Sequence, residues 1–249
     1  MSTAQKVYND FFKNFGGQSS FTKQDIYNYF LSEGKSLSDG AIRWRIHDLK
    51  NAGILKSIER SVYSINTKSC FISKTSTFIA TVVQLFKQKY DGLKYCVWDT
   101  HILNSFMIHQ PVNTFHLIET DRDITESVFY YLKDNNVKAF NNPSVQIMED
   151  YVLGEPNAVV VKPLVSRAPL ITGEQIVFPA LEKILVDIFC DQHQFYIFGG
   201  QEMINIFEHA FHHYSLNFSS MYAYASRRGK KALLKKFVEE NVLNEQTAG

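Results

Sequence analysis

The sequence predicts an α+β protein: an N-terminal winged helix-turn-helix followed by a mixed α/β domain that ends in several helices. Three observations predict it. Helical hydrophobic periodicity occurs three times before residue 53. Two short β-type runs follow at once, separated by a tight turn. The remainder alternates apolar strands with helices and turns wholly helical after Pro179. Strands gathered ahead of helices in this way fit α+β better than a doubly wound sheet. The predicted domains are residues 1–70 and 71–249.

Composition agrees with folded domains. Of 249 residues, 45% are hydrophobic and 14% aromatic, which excludes wholesale disorder. No apolar run reaches the roughly 18–20 residues of a membrane span, and the polar stretch Met1 to Asp10 lacks a signal region. No membrane partner is expected. Cys70, Cys96 and Cys190 are odd in number and far apart, so they form neither a CxxC pair nor a disulfide framework. A reducing, cytoplasmic location is the expectation.

The net charge of +1 averages over three unlike regions. Residues 1–70 carry ten Lys/Arg against six Asp/Glu, residues 71–226 ten against sixteen, and residues 227–249 six against three. Such asymmetry suggests a polyanion-binding end joined to a body with another task.

In the first helix, Ala4 to Phe15, Val7, Phe11, Phe12 and Phe15 fall on one face, and Gly16-Gly17 stops it. The second starts at Thr22, with Asp25 three residues on as in a capping box, and its apolar positions are Ile26, Tyr29 and Phe30. The third runs from about Asp39 to Ala52, with Ser38 as cap and Gly53 as stop. Its stripe of Ile42, Ile46 and Leu49 must face a core. At 100° per residue the opposite face holds Gly40, Arg43, Trp44, His47 and Asn51, flanked by Arg45 and Lys50. Arg matches guanine and Asn matches adenine in the major groove, so this face suits duplex DNA. The runs Ile54 to Ile58 and Val62 to Ile65 read as a hairpin whose tip, Glu59-Arg60-Ser61, offers Arg60 to phosphate. Such modules also dock proteins. Trp44 either touches nucleic acid or covers a neighbouring domain.

The body begins with a helix over Ser73 to Tyr90, with Phe78, Val82, Leu85, Phe86 and Lys89 along one side. Strands are predicted at Lys94 to Asp99, Thr114 to Glu119, Val137 to Phe140, Val145 to Met148 and Ala158 to Val165. Helices are predicted at His101 to Ile108, Ile124 to Asp134, Ala180 to Cys190, Gln201 to Tyr214, Ser220 to Arg228 and Lys230 to Val242, the last two broken at Gly229.

Catalytic patterns fail one by one. There is no Walker loop and no GxGxxG, so no nucleotide cofactor is implied, and no GxSxG elbow occurs. Gly199-Gly200 before a helix is read as a break between elements rather than an anion site. His209 and His213 share a helix face beside Glu208 and His212. A metalloprotease needs Glu after the first His, where Ala210 stands, so no metal is expected. Asp99 beside His101 is read as a helix cap. In the strand Ala158 to Pro163, Val160 occupies the place of a nuclease acid two before Lys162, which argues against metal-dependent cleavage. No catalytic residue is assigned.

The basic run Arg227, Arg228, Lys230, Lys231, Lys235 and Lys236 flanks Leu233, Leu234, Phe237 and Val238 on an amphipathic helix. A solvated face, an acidic protein partner and a second nucleic-acid contact all remain open for it.

The order of winged helix and α/β body resembles the AbiEi-type antitoxins, transcriptional regulators of bacterial type IV toxin–antitoxin systems. The resemblance rests on Gly53-Ile54-Leu55 leading to Arg60-Ser61-Val62-Tyr63-Ser64-Ile65, with Ser61 where that family usually has Gly. It extends through Tyr95 to Ile108 and Thr114 to Thr120, and through Pro179 to Asp187 with Ala180-Leu181 intervening before Glu182. It closes on Tyr222-Ala223, Arg227, Gly229 and Leu233-Leu234. The resemblance implies a protein that binds operator DNA and represses its own operon. It also implies antagonism of a nucleotidyltransferase-type toxin without a stable complex. The residues leave two other readings open: a DNA-processing enzyme delivered by its winged helix, and a protein-docking scaffold.

Overall fold

The structure, a computed structural model, describes residues 10–34, 37–51, 54–66, 71–73, 76–173 and 176–243, with Asn51 and Leu243 described by backbone alone. The predicted helix positions before residue 10, including Val7, lie outside the described residues, as do Ala52, Gly53 and Cys70. The chain divides into two compact units, Met1–Phe71 with His212–Asn217, and Ile72–Phe211 with Phe218–Gly249.

In the first unit, helix α1 (described over 10–15) leads to β1 (Phe21–Thr22), α2 (Lys23–Ser32), α3 (Asp39–Asn51), β2 (Leu55–Glu59) and β3 (Val62–Ile65). The three strands form an antiparallel sheet in the order β1-β3-β2. Two residues are too few for periodicity to announce β1. It forms because Phe21 and Thr22 lie opposite Tyr63 and Val62. Thr22 also caps α2: its side chain accepts from the Asp25 N–H, and Asp25 accepts from the Thr22 N–H at 2.7 Å. This is the predicted capping box, a feature that contributes about 1 kcal/mol.

Ile42, Ile46 and Leu49 are buried with Phe11, Phe15, Ile26 and Phe30 in one core. Phe12 departs from expectation and is 46% exposed. Phe11 and Phe15 are one turn apart, whereas position 12 lies about 100° round the helix from position 11.

The hairpin turns at Arg60–Ser61, and Ser61 adopts φ +62°. That left-handed conformation favours glycine, and a side chain there costs about 1 kcal/mol. The Ser61 carbonyl accepts from the Lys23 N–H at 3.0 Å, tying the turn to the start of α2. Within the same unit, Asn66 Nδ2 donates to Ser215 Oγ at 2.6 Å.

The second unit holds α4 (Thr77–Tyr90), β4 (Tyr95–Asp99), a 3-10 turn (Thr100–Phe106), β5 (His116–Thr120), α5 (Thr125–Asp134) and β6 (Ala139–Asn141). It continues with α6 (Val145–Ile147), β7 (Val159–Pro163), β8 (Leu170–Thr172) and β9 (Val177–Pro179). Four helices follow: α7 (Leu181–Cys190), α8 (Gln201–His213, its last two residues counted with the first unit), α9 (Phe218–Arg227) and α10 (Lys231–Val238).

The main sheet runs β4-β5-β7-β6, antiparallel between β4 and β5 and parallel in the other two pairs. One face, with Val97, Ile118, Val159 and Val161, packs with Val82, Phe86, Val128 and Leu132 of α4 and α5. The other face is buried as well, which explains the unbroken Val159-Val160-Val161 run. The fold is thus mixed α and β, closing in several helices.

Several elements differ from expectation. Residues 145–148 are helical rather than a strand: Ser144 caps the turn by accepting from the Ile147 N–H, and a π-helical turn, Met148–Val152, follows. The buried residues Met148 and Val152 are spaced by four, as a helix requires, while Val145 and Ile147 are exposed. Helix α4 begins at Thr77, later than Ser73, because Ser76 caps it. The helix expected over His101 to Ile108 is a 3-10 turn, with Asp99 capping it by accepting from the His101 N–H at 2.8 Å. The β8–β9 hairpin escaped prediction because each strand has three residues. Gly229, at φ +68°, makes the expected break between α9 and α10. Gly200, at φ +60°, breaks the chain before α8.

Candidate nucleic-acid interface

Because Ile42, Ile46 and Leu49 face inward, helical geometry turns Arg43, Trp44, Arg45, His47 and Lys50 outward, and all five are exposed. The side chain of Asn51 lies outside the described residues. The hairpin then curls back so that Arg60 approaches α3. Lys23, Arg43, His47, Lys50, Arg60 and Tyr63 line one open concavity of about 430 Å³.

Charge in this concavity is unevenly paired. Asp39 takes an ion pair from Lys23 and another from Arg43 at 2.8 Å. The Lys23 hydrogen bond is the main reason the Asp39 carboxyl sits below its usual pKa. No ion pair among the described residues takes Lys50 or Arg60. Trp44 and Arg45 are not among the residues lining this concavity. The Arg45 guanidinium lies 5.9 Å from the Trp44 ring and 6.0 Å from the Phe30 ring. Lys23 was not among the predicted DNA-facing residues. Its place directly after the Thr22 cap was the available signal, because the cap fixes where the first turn of α2 stands.

The body concentrates charge differently. Glu119 on β5 and Lys162 on β7 stand on neighbouring strands in register, on the face away from α4. Lys183 Nζ lies 2.6 Å from Glu119 and 2.5 Å from Asp187, both on fully buried side chains. Trp98 Nε1 also donates to Glu119 at 3.2 Å, and Tyr224 Oη donates to Asp187 at 2.9 Å. Arg228 bridges Asp187, at 2.6 Å, and Asp191, and Lys162 closes the chain on Asp191 at 2.6 Å. Three carboxylates therefore meet three cations.

Burial pulls the Lys183 ammonium down, but the Asp187 and Glu119 carboxylates outweigh it and hold the group well above its ordinary pKa. Burial likewise pushes Asp191 up, and Lys162 and Arg228 more than reverse this. Lys162, which has Val160 where a nuclease acid would stand on its strand, pairs instead with Asp191 at the end of α7.

Residues 41–244 match the profile of DUF6577, a family of unknown function. The chain belongs to the DUF6577 family. No curated protein matches it. The DUF6577 match takes in α3 and the hairpin of the first unit together with the elements of the second.

In this DUF6577 member the basic C-terminal run does not act as one patch. Arg228 is removed from it: its side chain is only 14% exposed and engages Asp187 and Asp191. Lys236 pairs with Glu240 at 3.6 Å, and Lys235 lies 5.6 Å from the Tyr222 ring. Lys230 and Lys231 are exposed. Arg227 points elsewhere and donates from Nε to Ser166 Oγ at 2.8 Å. Leu233, expected on the docked face, is 54% exposed, while Leu234 and Val238 are buried. Tyr224 and Arg228 meet in the interior on Asp187.

His209 packs edge-on against Phe106 at 4.8 Å, and His213 is exposed. Among the described residues no group of three His, Cys, Asp or Glu side chains is placed to hold a metal ion. Among them, too, no helix is long and apolar enough to cross a membrane. Cys96 and Cys190 are free thiols, and burial raises the Cys190 pKa to about 11.

Proposed function

We propose that this DUF6577 member is a DNA-binding transcriptional regulator. In this reading the first unit is a winged helix-turn-helix: α3 enters the major groove and Arg60 on the hairpin holds the adjacent backbone. One observation carries the reading. Arg43, His47 and Lys50 on α3 share a single concave surface with Arg60 and Lys23, which come from other elements. Cations gathered from separate elements onto one surface fit a ligand with repeated negative charge.

The wider role follows from the resemblance to AbiEi-type antitoxins. The protein would repress its own operon from operator DNA in the cytoplasm and antagonise a nucleotidyltransferase-type toxin without a stable complex. It would use no catalysis of its own. The balanced ion network supports this, because its carboxylates and cations engage one another.

Fluorescence anisotropy of the full chain with a labelled duplex from its own upstream region tests DNA binding. Affinity should fall steeply with salt. Arg43→Ala and Arg60→Ala should each reduce the salt slope by about 1 for every phosphate that the arginine neutralises. No retention of the duplex at low salt overturns the reading in favour of a protein-docking module. For the antitoxin role, co-expression should relieve the growth arrest caused by a nucleotidyltransferase encoded beside the gene. Persistent arrest removes that role and leaves a plain regulator.

A further inference from the structure

The second unit carries a feature that neither the DNA-facing surface nor the ion network uses. Between β7 and β8 the chain turns through Ser166 and Arg167, closed by the Ala168 N–H donating to the Val165 carbonyl at 3.3 Å. Arg167 sits there at φ +60°. That conformation suits glycine or asparagine, and any other side chain costs about 1–2 kcal/mol. A strained position of this kind directs attention to what its side chain serves.

The arginine shares its surroundings with a second one. Arg167, Ala223, Ser226 and Arg227 line an open pocket of about 340 Å³. No ion pair among the described residues takes either guanidinium. Ser166 Oγ holds Arg227 by its Nε, an arrangement that fixes the plane of the guanidinium. The place of Arg227 in the last turn of α9 suits the helix dipole and accounts for a cation there. It gives no account of a strained arginine beside it. Two like charges with no acid paired to either oppose folding.

We propose that Arg167 and Arg227, with the Ser226 hydroxyl, form a phosphate-binding site in the second unit. Arginine presents paired N–H groups that match phosphate oxygens, and the sole apolar lining residue, Ala223, provides no platform for a base. The site therefore reads the phosphate and not the group that bears it. Two sources share this chemistry: a free phosphate dianion and the phosphodiester of a nucleic-acid strand.

The site is distinct from the proposed DNA contact in the first unit, so its test is local. The full chain carrying methyl-labelled alanine is titrated separately with inorganic phosphate and with a short oligothymidylate, following the Ala223 signal. At least one probe should shift that signal, and the one that does so identifies the source. Arg227→Gln should weaken that binding about tenfold or more, as removal of a charge-assisted hydrogen bond implies.

Arg167→Gly separates a site from a turn. It relieves the positive φ, so the melting temperature should rise while phosphate affinity falls about tenfold. Two results overturn the proposal: an Ala223 signal unmoved by both probes, or equal binding by wild type, Arg167→Gly and Arg227→Gln.

Discussion

The cation cluster on α3 and its hairpin and the cation cluster between the sheet, α7 and α9 are handled in opposite ways. In the first, Arg43, Lys50 and Arg60 are exposed around a concave surface, with Asp39 the acidic residue paired there. In the second, Lys162, Lys183 and Arg228 are withdrawn from solvent and matched by Glu119, Asp187 and Asp191. Exposed charge adds little to stability and much to recognition of a polyanion. Buried charge recognises nothing outside and is costly to leave unpaired. Its desolvation is tolerable only when each group keeps its partners, so it fixes how α7, α9 and the sheet fit together. Lys50 of the first unit and Lys183 of the second are thus different kinds of residue.

The sharpest way to break this contrast is to remove one member from each set. Lys183→Met leaves Glu119 buried without a cation and Asp187 with Arg228 alone, and a loss of about 3–5 kcal/mol in denaturant unfolding is expected. A loss below about 1 kcal/mol would show that the network is no more than a surface pair. The double variant Lys50→Ala with Arg60→Ala should do the opposite. DNA affinity should fall by about tenfold or more at moderate salt, while stability stays within about 0.5 kcal/mol of wild type.

A smaller effect is expected at the hairpin tip. Ser61→Gly relieves the positive φ and should stabilise the first unit by about 1 kcal/mol, read as a higher melting temperature. Unchanged melting would mean that the added backbone freedom of the unfolded chain cancels the relief.

The smallest effect concerns pH. His116, on β5, is buried beside Asp99 at 3.4 Å and Phe78 at 4.8 Å. Burial lowers its pKa more than Asp99 raises it. The unfolded chain therefore takes up the proton first, and stability should decline as pH falls below about 6.5, until the folded protein protonates too. Asp191 behaves as a depressed carboxylate: its contribution is present above about pH 4 and is lost as pH falls through its folded value. His116→Gln should flatten the upper part of the acid limb and leave the lower part. Denaturant midpoints measured across this range would show it, and an unaltered upper limb would remove His116 as the cause.

Much of the first unit was legible in the chain. The Thr22–Asp25 box and the Ile42, Ile46, Leu49 stripe are local patterns, and once the stripe faces inward the outward face of α3 follows from helix geometry alone. Phe12 shows the limit. Phe11, Phe12 and Phe15 stand close together on one short helix, and hydrophobicity does not say which is left out. Ser61 is a departure from a glycine pattern that the fold accommodates at the same left-handed angle.

The body's charges were less legible because its ion pairs are mostly non-local. Glu119 and Lys183 are separated by 64 positions, Lys162 and Asp191 by 29. Arg227 and Arg228 are neighbours in the chain and looked equivalent. On a helix end they diverge by about 100°, so one reaches Asp187 and Asp191 while the other meets Ser166. A hydrophobic pattern carries no mark that distinguishes a charge destined for the interior from one left in water.

By itself, then, the sequence determined where most helices and strands form and which face of α3 looks outward. Those properties depend on residues within a turn or two of each other. Only the tertiary structure decided which cations are paired inside and which stay outside. Pairing of that kind is set by strands and helices far apart in the chain, and burial has no local signature for a charged group.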